Sequence, residues 1–148
     1  MTDQNIASTS DSTNPAVPEG FELMHTGLGF TDVSAPIYRC ERDGEAVFGF
    51  YVQKHHCNPM GICHGGMIML MFDIILGGAA HRAIGAKHGL PTTAMSIDFV
   101  GPAMVGDWIE SSVTFDHLSK NLVLVGGILQ GPNGVIARAN GSFKRPRE

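Results

Sequence analysis

Cysteine is scarce in this chain: 148 residues carry only Cys40, Cys57 and Cys63. An odd, sparse set in a chain this long argues against a disulfide framework and fits a reducing cytoplasm. An excess of positive charge is also missing. The formal net charge is -4, which speaks against a general nucleic-acid or anionic-membrane binder. Met1 to Glu19 has neither a basic start nor an apolar stretch, so it does not read as a secretory signal. The longest apolar run, Met67 to Leu76, falls short of the roughly 20 residues that cross a bilayer. No internal repeat or second linker is visible. The expectation is a soluble, cytoplasmic protein with one core.

What is present fills in that outline. Residues 1–18, rich in Ser, Thr, Asp, Asn and Pro, read as a disordered and dispensable tail. Residues 19–148 read as a single domain, and 43% hydrophobic residues suffice for a core. Pro36 to Arg42 and Glu45 to Gln53 flank Asp43-Gly44, a strong hairpin signal. After a loop broken by Asn58-Pro59 and Gly61, the pattern changes. From about Gly66 to Ile84 no alternation and no early turn residue appears, which predicts one long helix. It is apolar on nearly every side until its last turns, and such a helix must be buried all round. Four extended segments follow: Thr92 to Val100, Trp108 to Phe115, Leu122 to Gln130 and Val135 to Lys144. Their separators are short and rich in turn residues, which predicts an antiparallel meander. About five to six strands must then curl around one helix, an α+β arrangement. A single sheet cannot cover every side of that helix, so a partner subunit is expected to cover the rest.

Few residues in this frame can carry chemistry. Asp73 stands alone in a ten-residue apolar run. Burying an unpaired carboxylate costs several kcal/mol, so it must either find donors or line a cleft. His64-Gly65-Gly66 sits where the loop meets the helix. The first amides of a helix lack internal partners and lie at the positive end of its dipole. They could polarise a carbonyl and hold an oxyanion, or the glycines could simply permit tight packing. Asn58, six residues earlier, could bind a water or a carbonyl oxygen, or only shape the turn before Pro59. His55-His56-Cys57 and Cys63-His64 invite a zinc site, but five residues separate the cysteines and no second cluster follows. Structural zinc sites use a spacing of two to four, so no metal is expected.

Asn58-x5-His64-Gly65-Gly66, with Asp73 seven residues on, resembles the hotdog-fold acyl-coenzyme A thioesterase superfamily, and in particular its PaaI-like, phenylacetate-pathway branch. The likeness continues in Thr92-x4-Ile97-x-Phe99-x-x-Pro102-Ala103-x-x-Gly106-Asp107 and in Ala137-x-Ala139-x-Gly141-x-Phe143, and it covers roughly residues 21 to 144. The resemblance implies a sheet wrapped around a central helix, protomers paired edge to edge, active sites at the dimer interface and frequent tetramers. It implies Asp73 as general base or nucleophile, and the Gly65 amide holding the thioester oxygen with help from His64. Asn58 would position the water or the carbonyl. Thr92 would help hold the water from the other subunit. Gly66 and Lys120 would touch the substrate, Lys120 at the coenzyme A phosphates. No cofactor is implied. Two other functions stay open: a hotdog enoyl-coenzyme A hydratase or dehydratase, and a non-catalytic acyl-coenzyme A binding module.

Overall fold

The computed structural model describes residues 16–24, 29–34 and 36–147. The expected disordered tail falls outside the described residues as far as residue 15. Its last part is tied down, because the Tyr51 hydroxyl donates to the Ala16 carbonyl at 3.0 Å. The chain forms β1 (Glu22–Leu23), a short α1 (Phe30–Ser34), β2 (Tyr38–Arg42), β3 (Glu45–Tyr51), a 3-10 turn (Lys54–His56), α2 (Gly65–Ala83), β4 (Thr92–Phe99), β5 (Trp108–Leu118), β6 (Leu122–Gly131) and β7 (Gly134–Lys144). The seven strands make one antiparallel sheet in the order β1-β2-β3-β5-β6-β7-β4. The short β1 accounts for the excess over the five to six expected, and α1 was not foreseen.

The hairpin signals hold. Asp43, at φ 51°, and Gly44, at φ 79°, both take the left-handed backbone that a tight β2–β3 turn needs. The meander is only partly right. β5, β6 and β7 follow one another, but β4 pairs with β7 at the far edge instead of with β5. Residues 100–107 carry the chain from β4 back to β3, where β5 begins. Eight extended residues reach about 27 Å, enough to pass three strand spacings of about 4.8 Å. This connection is pinned by the Cys63 amide on the Ala103 carbonyl at 2.8 Å and the Val52 amide on the Asp107 carbonyl at 2.9 Å.

Helix α2 lies in the curve of the sheet, against β4, β5, β6 and β7. By length and composition its 19 residues could cross a membrane. They instead bury Met67, Ile68, Met71, Phe72, Ile75, Leu76, Ala79 and Ala80 in the core. Close approach requires Gly127, where a Cβ would lie 2.9 Å from Leu76 Cδ2 and 3.1 Å from the Ser112 carbonyl oxygen. Burial on every side, the expectation from composition, is not what one chain achieves. Gly66, Met69 and Asp73 are exposed, with Leu70 and Ile74 half-buried beside them. Spaced at three and four residues, they form one open strip along the helix. The whole is a hotdog fold: a curved antiparallel sheet around one central helix.

The outer side of β3 is sealed by aromatic rings. Trp108 packs on Tyr51 at 4.8 Å, Phe21 at 5.0 Å and Tyr38 at 5.8 Å. Gly49 makes room for it, since a Cβ there would stand 2.3 Å from the Trp108 ring. Gly49→Ala is therefore expected to lower stability by about 1–3 kcal/mol, the usual cost of overpacking. Thermal and denaturant unfolding would check this, and an unchanged midpoint would count against the packing account.

Candidate functional site

The start of α2 gathers most of the residues singled out by the sequence. His64 is the helix N-cap, with extended backbone at φ −62° and ψ 137°. Its Nδ1 accepts from the Gly66 amide at 2.8 Å. An amide can only donate, so Nδ1 is unprotonated and the neutral ring carries its proton on Nε2. His64 thus presents an Nε2–H donor. Gly66, expected to touch the substrate, has its amide taken by His64, and of the two glycines only Gly65 keeps a free one. As the first amide of the helix it has no intrahelical acceptor, and it lies at the positive end of the dipole. A Cβ on Gly65 would meet the Phe99 ring at 3.2 Å. Phe99 therefore stands over the helix start, a neighbour that the alternation of β4 did not single out.

Asn58 shapes its own loop. Its Oδ1 accepts from the Met60 amide at 2.9 Å and the Ile62 amide at 3.3 Å. This occupies the oxygen and leaves the Nδ2 hydrogens as the groups able to meet a substrate oxygen. Cys57 and Cys63 face each other across an isolated antiparallel bridge, and both are free thiols. Burial pushes the Cys63 thiol up to about 12, so it is no nucleophile. Among the described residues no three His, Cys, Asp or Glu side chains are placed to hold a metal ion.

His56 ties this loop to the N-terminal segment. It is 4% exposed. Its Nδ1 accepts from the Gln53 amide at 2.9 Å, and its Nε2 donates to the Ser34 carbonyl at 2.7 Å. The His64 amide in turn donates to the His56 carbonyl at 2.7 Å. Burial lowers the His56 pKa below the ordinary 6.5, helped by neighbouring His55 and opposed by the bond to Ser34. The unfolded chain then takes up this proton at a higher pH than the folded one. Stability is present above about pH 6.5 and is lost as pH falls from there toward the lower folded value. Thermal melts should show this loss. In His56→Gln the melting point should start lower and depend less on pH through that window.

Asp73 lies elsewhere on α2, and not in the core. It is exposed on the open strip, where the Thr92 hydroxyl donates to its Oδ1 at 2.6 Å. Thr92 was expected to reach the site from another subunit. It belongs to the same chain as the carboxylate it orients, because β4 starts beside the middle of α2. Asp73 is eight residues beyond Gly65, about 12 Å along the axis at 1.5 Å per residue. Within one chain, then, the carboxylate and the free amide stand too far apart to act on the same carbonyl.

Beyond Thr92 the surface is basic. The Lys144 amide donates to the Pro91 carbonyl at 2.9 Å. Arg145 donates from its backbone to the Asn121 carbonyl at 2.9 Å and from Nη1 to the Ser119 carbonyl at 2.8 Å. The end of β7 is thereby folded onto the turn that carries exposed Lys120. A cavity of about 670 Å³ opens there, lined by His88, Lys144, Arg145 and Arg147.

Comparison with known proteins agrees with this fold. The thioesterase superfamily model matches residues 60–130, from the Asn58 loop through β6. The Pseudomonas aeruginosa protein named "Putative esterase PA0474" is 30% identical over 132 residues, 88% of this chain and 98% of the relative. The PaaI protein from the phenylacetic acid degradation operon of Escherichia coli superimposes with a TM-score of 0.65 at 23% identity, covering 74% of this chain and 82% of that one. The BH2602 protein from Bacillus halodurans, solved with CoA, gives a TM-score of 0.67 at 23% identity over 74% of each chain.

Proposed function

Since the chain belongs to the thioesterase superfamily and is a hydrolase of the thioester and ester class, we propose that it hydrolyses an acyl-coenzyme A thioester to the free acid and coenzyme A. One observation carries this reading: the Thr92-oriented carboxylate of Asp73 on the open strip of α2, about 12 Å from the free Gly65 amide. Two chains complete what one cannot. β4 is one of the two edge strands of the sheet, and its residues are exposed or half-buried. Such an edge invites pairing with a second copy. A two-fold pairing lays the open strips of two α2 helices side by side and antiparallel, which brings the Gly65 end of one toward Asp73 of the other. The same pairing covers Met69, which is 50% exposed.

In this site the free Asp73 oxygen removes a proton from water as the water oxygen attacks the thioester carbon. The oxyanion is held by the Gly65 amide, with Asn58 Nδ2 and the His64 Nε2–H as further donors. When the carbon–sulfur bond breaks, the proton on Asp73 passes to the departing thiolate. Lys120 and the basic cavity beyond Thr92 receive the coenzyme A phosphates as charge-assisted partners. A protein of the same fold was solved with CoA, in keeping with coenzyme A as the leaving group.

The test is a panel of acyl-coenzyme A esters assayed for free thiol. Release of thiol with accumulation of the acid is expected. Loss of enoyl absorbance without thiol release would make the chain a hydratase or dehydratase. Saturable binding without turnover would make it a binding module.

A further inference from the structure

A second cavity, of about 380 Å³, opens beside the start of α2. His64 and Gly66 form its end nearest the free amide, Met67 and Leu70 its helical wall, and Phe30 and Val33 of α1 its outer wall. We propose that this cavity receives the acyl group, and that Phe30 and Val33 set the length it accepts. The assignment rests on the thioesterase reading above and extends it to the substrate.

Three observations point the same way. The first is position. A thioester whose oxygen sits on the Gly65 amide has one arm directed at the neighbouring cavity and the other directed away. The cavity wall is apolar at Phe30, Val33, Met67 and Leu70, whereas the phosphate-bearing arm finds its basic partners near Lys120 and Arg145. An acyl chain fits the first surface and a phosphorylated nucleotide the second.

The second is exposure. Phe30 is 71% and Val33 78% exposed, on a five-residue helix that buries none of its own residues. Large apolar side chains displayed together on so small an element have no core to serve. They gain a contact when an apolar group enters beside them.

The third is the tether. α1 is too short to hold itself in place, and it is fastened at its end. The Ser34 carbonyl is reached by His56 Nε2 at 2.7 Å and His55 Nε2 at 3.1 Å, while the Ser34 hydroxyl closes back on the Phe30 carbonyl at 2.7 Å. The same His56 accepts from the Gln53 amide, and its carbonyl holds the His64 amide. One histidine therefore sets the outer wall of the cavity against the residue that caps the helix. A position fixed in this way gives the cavity a defined length. At about 380 Å³ it lies near the small end of ligand pockets. It suits an arylacetyl or medium-chain acyl group, and a long chain would have to displace α1.

The experiment compares wild type with Phe30→Ala and Phe30→Trp, both at an exposed position where folding is unaffected. Thiol release is followed with esters from acetyl to palmitoyl and with phenylacetyl-coenzyme A. Wild type should prefer phenylacetyl or medium-chain esters. Phe30→Ala should move the optimum to longer chains, raising kcat/KM for a long ester at least about tenfold and chiefly through KM. Phe30→Trp should move the optimum the other way. If both variants keep the wild-type chain-length profile while turning over well, the cavity assignment is overturned and the thioesterase reading stands. If wild type turns over no ester, that reading fails instead. Binding of the same series by calorimetry then decides the cavity: a chain-length shift in Kd supports it and an unchanged series overturns it.

Discussion

Asp73→Asn is expected to lower kcat at least about 100-fold, a loss of roughly 2.7 kcal/mol of transition-state stabilisation, with KM little changed. The amide keeps the size of the side chain and can still accept from the Thr92 hydroxyl, now 2.6 Å from Oδ1. It cannot take a proton from water. Because Asp73 is exposed within the chain, the substitution leaves the core untouched, and melting should stay close to wild type. Among residues 46 to 97 no other acidic side chain is present to replace it. Steady-state kinetics with a thermal melt would decide. A folded variant turning over at near wild-type rate would make Asp73 a structural carboxylate and favour the binding-module alternative.

Gly65→Pro is expected to cost about 10²–10³-fold in kcat, the usual effect of deleting one oxyanion donor. Proline removes the one free amide and little else. It is well accepted at the first helical position. His64, at φ −62° and ψ 137°, already has the extended backbone that a following proline demands. The nearby Phe99 ring is 58% exposed and free to give way. This variant also tests the shared site. Asp73→Asn and Gly65→Pro, mixed and allowed to exchange subunits, should recover about a quarter of wild-type activity, since half the dimers are mixed and each rebuilds one site of two. If carboxylate and amide served the same chain's site, the mixture would stay inactive.

Much of the fold was legible because its signals are local. Asp43-Gly44 marked the β2–β3 turn, and the unalternating run from Met67 marked α2 to within a residue at either end. The placement of β4 was not legible. Short separators suggest adjacent strands, yet the 100–107 connection is long enough to pass β7 and β6, and nothing within it says which way it goes. α1 escaped for a related reason. Five residues without a buried face have no periodicity to read, and the Ser34 carbonyl bonds to His55 and His56 tie them to the loop before α2.

By itself the sequence determined which residues could matter. A lone carboxylate in an apolar run, two glycines behind a histidine and an asparagine before a proline stand out through the cost of charge, the freedom of glycine and the chemistry of turns, all of which act over a few residues. Only the tertiary structure decided how they are shared out. It gave Asp73 a donor 19 positions away in its own chain, spent the Gly66 amide on His64, and left one strip of α2 open. Those outcomes depend on which surfaces the curved sheet reaches. A seven-stranded sheet wrapped around one side of a helix leaves the other side, where the carboxylate stands, open.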